Sequence, residues 1–347
     1  MTVNGRIRVA VIAGGRSSEH EISLASARSV LESLDRDRYE IATVAIGRDG
    51  RWELSAAAAD APAAIEQTVA ETLPVPADGR ALASVGSVDV VLPILHGPFG
   101  EDGTVQGLLE LADVPYVGAG VAASAVCMDK DLMKAVLRAS GIPVTRSVTL
   151  REGDPVEHPF EYPVFVKPAR LGSSVGITKV RGPEELEDAV ALARRHDLKV
   201  LIEEFVDGVE VEVGVLGNRN PTASLPGEIV AHGFSGVDWY DYSAKYDEGG
   251  MDLIIPPRVP EAQWRHVQEV SVDSFVATEC EGMARVDCFV RADGEVLVNE
   301  LNTIPGFTAT SVYAKLFEAS GIPYPELLDR LIELALERHE RRRHLEY

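Results

Sequence analysis

"ARVDCFVRADGEVLVNELNTIPG", residues 284–306, alternates like a buried β-hairpin, yet it carries Arg285, Asp287, Glu300 and Asn302 among its valines and leucines. Asp293-Gly294 between two apolar alternating runs is a two-residue hairpin signal, because both residues accept the positive φ of a type I′ turn. That loop sets Ala292 opposite Glu295 and, counting outward, Asp287 opposite Glu300 and Arg285 opposite Asn302. Side chains alternate with period two, so these four share one face while Val286, Cys288, Leu297 and Leu301 take the other. Two carboxylates opposed at roughly 5 Å repel by about 3 kcal/mol at an effective dielectric of about 20. A hard dication reverses that sign, and Mg²⁺ favours carboxylate and amide oxygens while keeping positions open for water and substrate phosphates. The plainer reading of the same residues is a solvated polar face with Arg285 as counter-ion. A three-residue loop would shift the pairing by one.

The 347 residues leave room for two or three domains with sizeable cores. A formal net charge of −22 argues against general nucleic-acid or anionic-membrane binding, though local lysines can still hold a nucleotide's phosphates. Cys127, Cys280 and Cys288 form no CxxC pair and no zinc spacing, which suits a reducing cytoplasm. The N-terminal "VAVIA" is short enough to be a strand rather than a signal peptide, and no run reaches the ~18 apolar residues of a membrane span.

"RIRVAVIAGGRSSEHEISLASARSVLESL" reads strand, glycine-rich loop, helix. "YEIATVAIGRDGRWEL" adds two strands, and "VDVVLPILHGPFGEDGTVQGLLELADVPYVG" a buried strand, a loop and a helix. Strands alternating with helices predict an open parallel α/β domain over residues 1–120, with ligands at the strand-end loops. A helix over "ASAVCMDKDLMKAVLRASGIPV", ending at Gly141, opens an α+β segment over 121–205 that contains a further helix near 183–195. The remainder, 206–347, holds the hairpin, closing helices near 311–319 and 325–341, and a long polar loop, 232–250, that is a candidate lid. Residues 55–87, rich in alanine and proline, read as a surface excursion without an assigned role.

"FVKPARLGSSVGITK" places Lys167 at the end of a β-run before a Gly/Ser loop whose N–H groups can cover phosphates. It lacks the G-K-[ST] and following helix of a Walker loop, and on its own could be an ordinary turn. "LIEEFVDGVEVEV" sets Glu203 and Glu204 at a strand end and Glu210 and Glu212 on one strand face; this suits reading of adenine and ribose, or an ordinary acidic edge. Lys130 in "MDKDLMK" lies early in a helix. Glu19 in "GGRSSEHEISLAS" lies at a loop-to-helix junction, where a carboxylate also complements the helix dipole.

Taken together, "GGRSSEHEISLAS", "LHGPFGEDGTVQGLLEL", "PYVGAGVAASAVCMDK", "VKPARLGSSVGI", "YDYSAKY", "RVDCF" and "NELNTIPGFTATS" resemble the D-alanine–D-alanine ligase family of ATP-grasp enzymes over almost the whole chain. The resemblance implies a three-domain fold, mixing α/β and α+β, with ATP between two sheet layers. It implies ATP-dependent joining of two D-alanines through an acyl phosphate, for peptidoglycan precursor synthesis. It assigns Lys130 and Lys167 to the phosphates; Glu203, Phe205 and Val206 to the adenine hinge; and Glu210 to the ribose. Asp287, Glu300 and Asn302 become ligands of Mg²⁺ or Mn²⁺, two ions per site. Glu19, with Ser173 and Tyr246 linked to it across the closed site, would hold the first D-alanine ammonium, with His96 near that substrate. Arg285 and the Gly306 N–H would be the oxyanion donors, and Lys245 and Ser311 would lie near the second carboxylate. A homodimer is implied as well.

Glu204 stands where some members carry lysine, which puts a side-chain contact to adenine in doubt. Val312 follows Ser311 where members vary, near the second substrate. The alternatives are a D-alanyl-D-lactate ligase, against which Tyr246 speaks; a D-alanyl-D-serine ligase, against which the uncharged Val312 speaks mildly; another ATP-grasp dipeptide ligase; and a catalytically inactive ATP-binding regulator, which would be expected to lose one of the lysines or metal ligands.

Overall fold

The computed structural model describes residues 5–55, 88–172, 175–231 and 251–346. The 232–250 loop, with Lys245 and Tyr246, lies outside the described residues, as do Ser173 and residues 56–87.

The first sheet uses β1 (Ile7–Gly14), β2 (Tyr39–Ile46), β3 (Trp52–Ser55) and β4 (Val90–Ile94) in the order β3-β2-β1-β4. β1 pairs in parallel with β2 and β4, and only β3 runs antiparallel. The parallel core follows from the crossover through α1 (His20–Ser33), since parallel neighbours need a long connection. Near-continuous apolar runs such as Val9–Ala13 fit strands buried on both faces. One face packs on α2 (Thr104–Leu111) through Val105 and Leu109.

The predicted single helix before Gly141 is two: α3 (Val121–Met128) and α4 (Lys130–Ala139). Asp129 separates them in extended conformation, and its carboxylate accepts the Leu132 N–H as an N-cap. β5 (Ser147–Leu150), β6 (Val164–Pro168), β7 (Thr178–Val180) and β8 (Val200–Glu204) form an antiparallel sheet, β5-β8-β6-β7. α5 (Pro183–Arg194) covers one face with Leu186, Val190 and Ala193.

The third sheet comprises β9 (Gly208–Gly217), β10 (Thr222–Ala223), β11 (Gly227–Ala231), β12 (Met251–Ile254), β13 (Gly282–Arg291) and β14 (Val296–Asn302), in the order β12-β11-β9-β13-β14 with β10 beside β9. α6 (Glu261–Ala277) was not anticipated; with α3 and α4 it buries the face formed by Val211, Val213, Val286 and Cys288. The closing helices are α7 (Val312–Ala319) and α8 (Tyr324–Arg342). Both turn back onto the first sheet: Leu327, Leu331 and Phe317 join Val9, Val11 and Leu92 in one core.

The hairpin differs from expectation in a way that preserves its outcome. Arg291, not Ala292, pairs with Glu295, so the loop has three residues. The register then slips at a bulge between Asp287 and Cys288, where Asn299 is the extra residue on β14. Beyond it Asp287 again faces Glu300, and Arg285 faces Asn302. Closer to the turn, Leu297 pairs with Phe289 on the polar face, while Val296, Val298 and Leu301 enter the core. Leu297 therefore changes face relative to the sequence reading.

Candidate active site

The uncovered faces of the second and third sheets enclose a cleft of about 460 Å³. From the second sheet come Phe165, Lys167 and Glu203; from the third, Glu210, Phe289, Asn299 and Glu300. The connection from β8 to β9, Phe205–Asp207, closes one end. The Phe205 ring is tilted 31° to that of Phe165, with centroids 6.4 Å apart, and Lys179 Nζ lies 4.7 Å from the Phe205 ring centroid. This end is an apolar slot of aromatic and aliphatic walls bordered by backbone, which suits a flat heterocycle. Glu204 turns away from such a role: its carboxylate accepts the Arg146 N–H at 3.0 Å and the Arg146 Nε at 2.7 Å. Those bonds outweigh burial and hold it below the usual carboxylate range.

The two lysines flank the opposite end. Lys130 Nζ lies 3.2 Å from Glu300 and donates to the Leu171 carbonyl at the start of the Gly/Ser loop. Burial lowers its pKa, but Glu300, Glu203 and Glu101 outweigh that and raise it above the ordinary value. Lys167 pairs with Glu203 and reaches Asn299 Oδ1 at 3.3 Å, so the bulge supplies a bond between the two sheets. Burial opposes ionisation of Glu203, yet Lys134 and Lys167 hold its carboxyl below the usual range.

Across the third sheet, Glu212, Asp287 and Glu300 stand in one cross-strand row on β9, β13 and β14. Arg285 bridges the first two, with Nε 3.0 Å from Glu212 and 2.7 Å from Asp287. Asn302 donates to Asp287 at 3.0 Å. Asp287, Glu300 and Asn302 thus offer oxygens only, with cations already beside both carboxylates; this donor set fits a hard dication. Among the described residues, no group of three histidine, cysteine, aspartate or glutamate side chains is placed to hold a metal ion by itself.

A second cluster lies where the first sheet meets the hairpin's exit. Glu19 is the residue before α1, buried. A Cβ on Gly97 would fall 2.5 Å from its Oε2, and one on Gly172 would fall 3.4 Å away, so glycines in two loops make room for this carboxylate. Ser17 Oγ accepts the Glu19 N–H and donates to the His96 carbonyl. The buried His96 ring sits 3.0 Å from the Ile304 carbonyl through Nδ1, and burial lowers its pKa. Glu101 ties the same loops together, accepting the Gly97 N–H at 2.7 Å and the Ile304 N–H at 3.0 Å. Desolvation and the charge of Glu19 push the Glu101 carboxyl up to about 8. Gly306 and Ser311 are neighbours: a Gly306 Cβ would lie 3.4 Å from Ser311 Oγ, which accepts the Thr308 N–H.

The structure therefore brings Glu19 and His96 into one corner, and Lys130, Lys167, Glu203, Phe205, Val206, Glu210 and Glu300 around the cleft. Arg285, Asp287 and Asn302 lie on the hairpin beside it, with Gly306 and Ser311 beyond the hairpin. Val312 is buried against Ile229 and Leu316. Sequence reading passed over Glu101, Lys134 and Asn299. Glu101 lies in a quoted motif, but its partner Ile304 is 203 residues away.

Two antiparallel sheets clasping a cleft, joined to an open α/β domain, define the ATP-grasp architecture. The family description "D-ala D-ala ligase N-terminus" matches residues 8–119, and "D-ala D-ala ligase C-terminus" matches residues 136–333. The chain is 48% identical to D-alanine–D-alanine ligase A of Mesorhizobium japonicum, over 97% of this chain and 99% of that one. Among solved structures it resembles the VanG D-Ala:D-Ser ligase of Enterococcus faecalis, with TM-score 0.83, 36% identity, and 95% and 99% of the two chains covered. It also resembles a D-alanine–D-alanine ligase of Bacillus anthracis complexed with ATP, with TM-score 0.75, 27% identity, and 96% and 99% covered. The chain belongs to the D-alanine–D-alanine ligase family.

Proposed function

We propose that this chain is an ATP-dependent ligase joining two D-alanines into D-alanyl-D-alanine, a precursor of peptidoglycan. The observation that carries the reading is the facing of Lys130 and Lys167 with Glu300 across one cleft, in a chain of this family. Adenine takes the slot at Phe205 and Val206 beside Glu203, the ribose lies near Glu210, and the phosphates lie between the two lysines. Asp287, Glu300 and Asn302 hold Mg²⁺ or Mn²⁺, with two ions per site; bound there, the metal supplies neutralisation of phosphate charge.

Glu19 binds the ammonium of the first D-alanine with His96 nearby; the carboxylate of that D-alanine attacks the γ-phosphate, and ADP leaves with the bridging oxygen. The lysines hold the transferring phosphoryl group, since positioning and electrostatics dominate this chemistry. The second amine attacks the acyl phosphate. Arg285 and the Gly306 N–H stabilise the tetrahedral oxyanion, and Ser311 and Lys245 face the second carboxylate. Phosphate leaves. Ser173 and Tyr246 act with Glu19 in a closed site under lid 232–250, which keeps water from the acyl phosphate. The domain division 1–120, 121–205 and 206–347, a homodimer and a cytoplasmic location belong to the same proposal. Among the described residues, no helix is long and apolar enough to cross a membrane.

A second reading, D-serine as second substrate, is favoured by the likeness to the VanG ligase. The test is ADP release with Mg-ATP and D-alanine, then with D-alanine plus D-serine or D-lactate, identifying products by mass. D-alanyl-D-alanine as the main product supports the first reading; a mixed dipeptide or depsipeptide keeps the nucleotide site and replaces the second substrate.

A further inference from the structure

We infer that Lys134, which does not line the cleft, is a positioning residue for the nucleotide: it stays with Glu203 so that Lys167 can leave for the phosphates. The inference rests on reading the cleft as the ATP site. Lys134 lies on α4, one turn beyond Lys130, with no solvent exposure at all. Its Nζ is 2.8 Å from Glu203 Oε1 and also donates to Thr145 Oγ1. Lys167 takes the other oxygen, Oε2, and lines the cleft. One buried carboxylate therefore carries two ammonium groups, one at each oxygen, and only one of them lines the cleft.

The asymmetry has a consequence for binding. Glu203 is 3% exposed. If Lys167 were its single counter-ion, moving Lys167 to a phosphate would leave a buried, unpaired carboxylate, among the most unfavourable arrangements inside a protein. With Lys134 in place the same movement leaves a one-to-one ion pair. The pair also tightens: burial, opposed by Glu203 and reinforced by the charge of Lys167, brings the Lys134 ammonium down to about 8. Departure of Lys167 removes the repulsive part. Lys130 has its own partner in Glu300 and does not substitute for Lys134 at this carboxylate.

A double-mutant cycle tests the role, reading Mg-ATP affinity by calorimetry in the absence of D-alanine. Lys134→Met should weaken Mg-ATP binding at least tenfold, because Lys167 then remains on Glu203. In a Glu203→Gln background, where there is no charge to compensate, the same substitution should change affinity less than twofold. Equal costs in the two backgrounds overturn the role, as does a cost below twofold in the unaltered chain. If Lys134→Met alone does not fold, the Glu203→Gln pair decides: a cost above fivefold there means Lys134 acts on the nucleotide by another route, and overturns the proposal. An unaltered chain that binds no Mg-ATP overturns the nucleotide reading of the cleft itself; one that binds it with equal costs overturns Lys134 alone.

Discussion

Asp287 and Glu300 face each other on adjacent strands, and each has a cation beside it: Arg285 at 2.7 Å from Asp287 and Lys130 at 3.2 Å from Glu300. The repulsion expected between opposed carboxylates is therefore already offset before any metal or nucleotide arrives. On the proposed reading of the cleft, binding of a metal nucleotide would be an exchange of counter-ions.

Glu300→Gln removes one member of that row while keeping its shape. Lys130 retains the Leu171 carbonyl, so the fold should persist, with a melting temperature within a few degrees of the parent. Turnover should fall by about 10²–10³-fold, the scale seen when one electrostatic contact to a transition state is lost. Near-normal ADP release would sink the assignment of Glu300 to the metal.

Gly97→Ala should disturb the first-substrate corner. Gly97 has φ of 75°, and the added Cβ would fall 2.5 Å from Glu19 Oε2. The left-handed backbone alone costs roughly 1–2 kcal/mol for a residue with a side chain. Steady-state kinetics should show the KM for D-alanine rising at least tenfold while the KM for ATP moves less than threefold. A matched rise in both would place Glu19 elsewhere in the reaction.

Arg285→Lys keeps the charge but loses the fork that spans Glu212 and Asp287. If Arg285 supports the oxyanion, kcat should drop by about a hundredfold with the KM for ATP little changed. A purely structural role would appear instead as a lowered melting temperature with normal kcat.

Glu101 makes a pH prediction. Its carboxyl is raised to about 8 by desolvation first and by Glu19 second. A raised carboxyl stabilises the fold fully below its unfolded value of about 4.3 and ceases to do so as pH rises through the folded value. Melting temperature should therefore decline between pH 5 and 8. Glu101→Gln should flatten that slope; an identical slope in both proteins would rule Glu101 out as its source.

The polar face of the hairpin was legible because period-two alternation outward from a two-residue Asp293-Gly294 loop places Arg285, Asp287, Glu300 and Asn302 together. The bulge was not, since nothing local distinguishes Asn299 from its neighbours; two errors of one residue, in loop and in strand, cancelled at Asp287. Lys134 escaped notice because a lysine among Leu132, Met133 and Val136 reads as exposed until Glu203 is brought against it by β8. The break at Asp129 had a visible capping signal, but the apolar run on either side of it reads as continuous helix. Helix α6 was hidden by its mixed face: it buries serines 271 and 274, whose hydroxyls bond back to Val267 and Val270 within the helix.

The packing of α8 against β1 and β4 bears on how the chain is made. Val9, Val11 and Leu92 share a core with Leu327 and Leu331, and Tyr39 bonds Asp329. At ~5–20 residues per second, the ribosome takes on the order of tens of seconds to travel from the fourth strand to that helix. For that interval the face of the first sheet with Val9, Val11 and Leu92 has α1 on it but not α8, and the corner around His96 and Glu101 lacks Ile304. A nascent N-terminal fragment therefore lacks both the α8 side of its core and the Ile304 backbone that His96 and Glu101 bond.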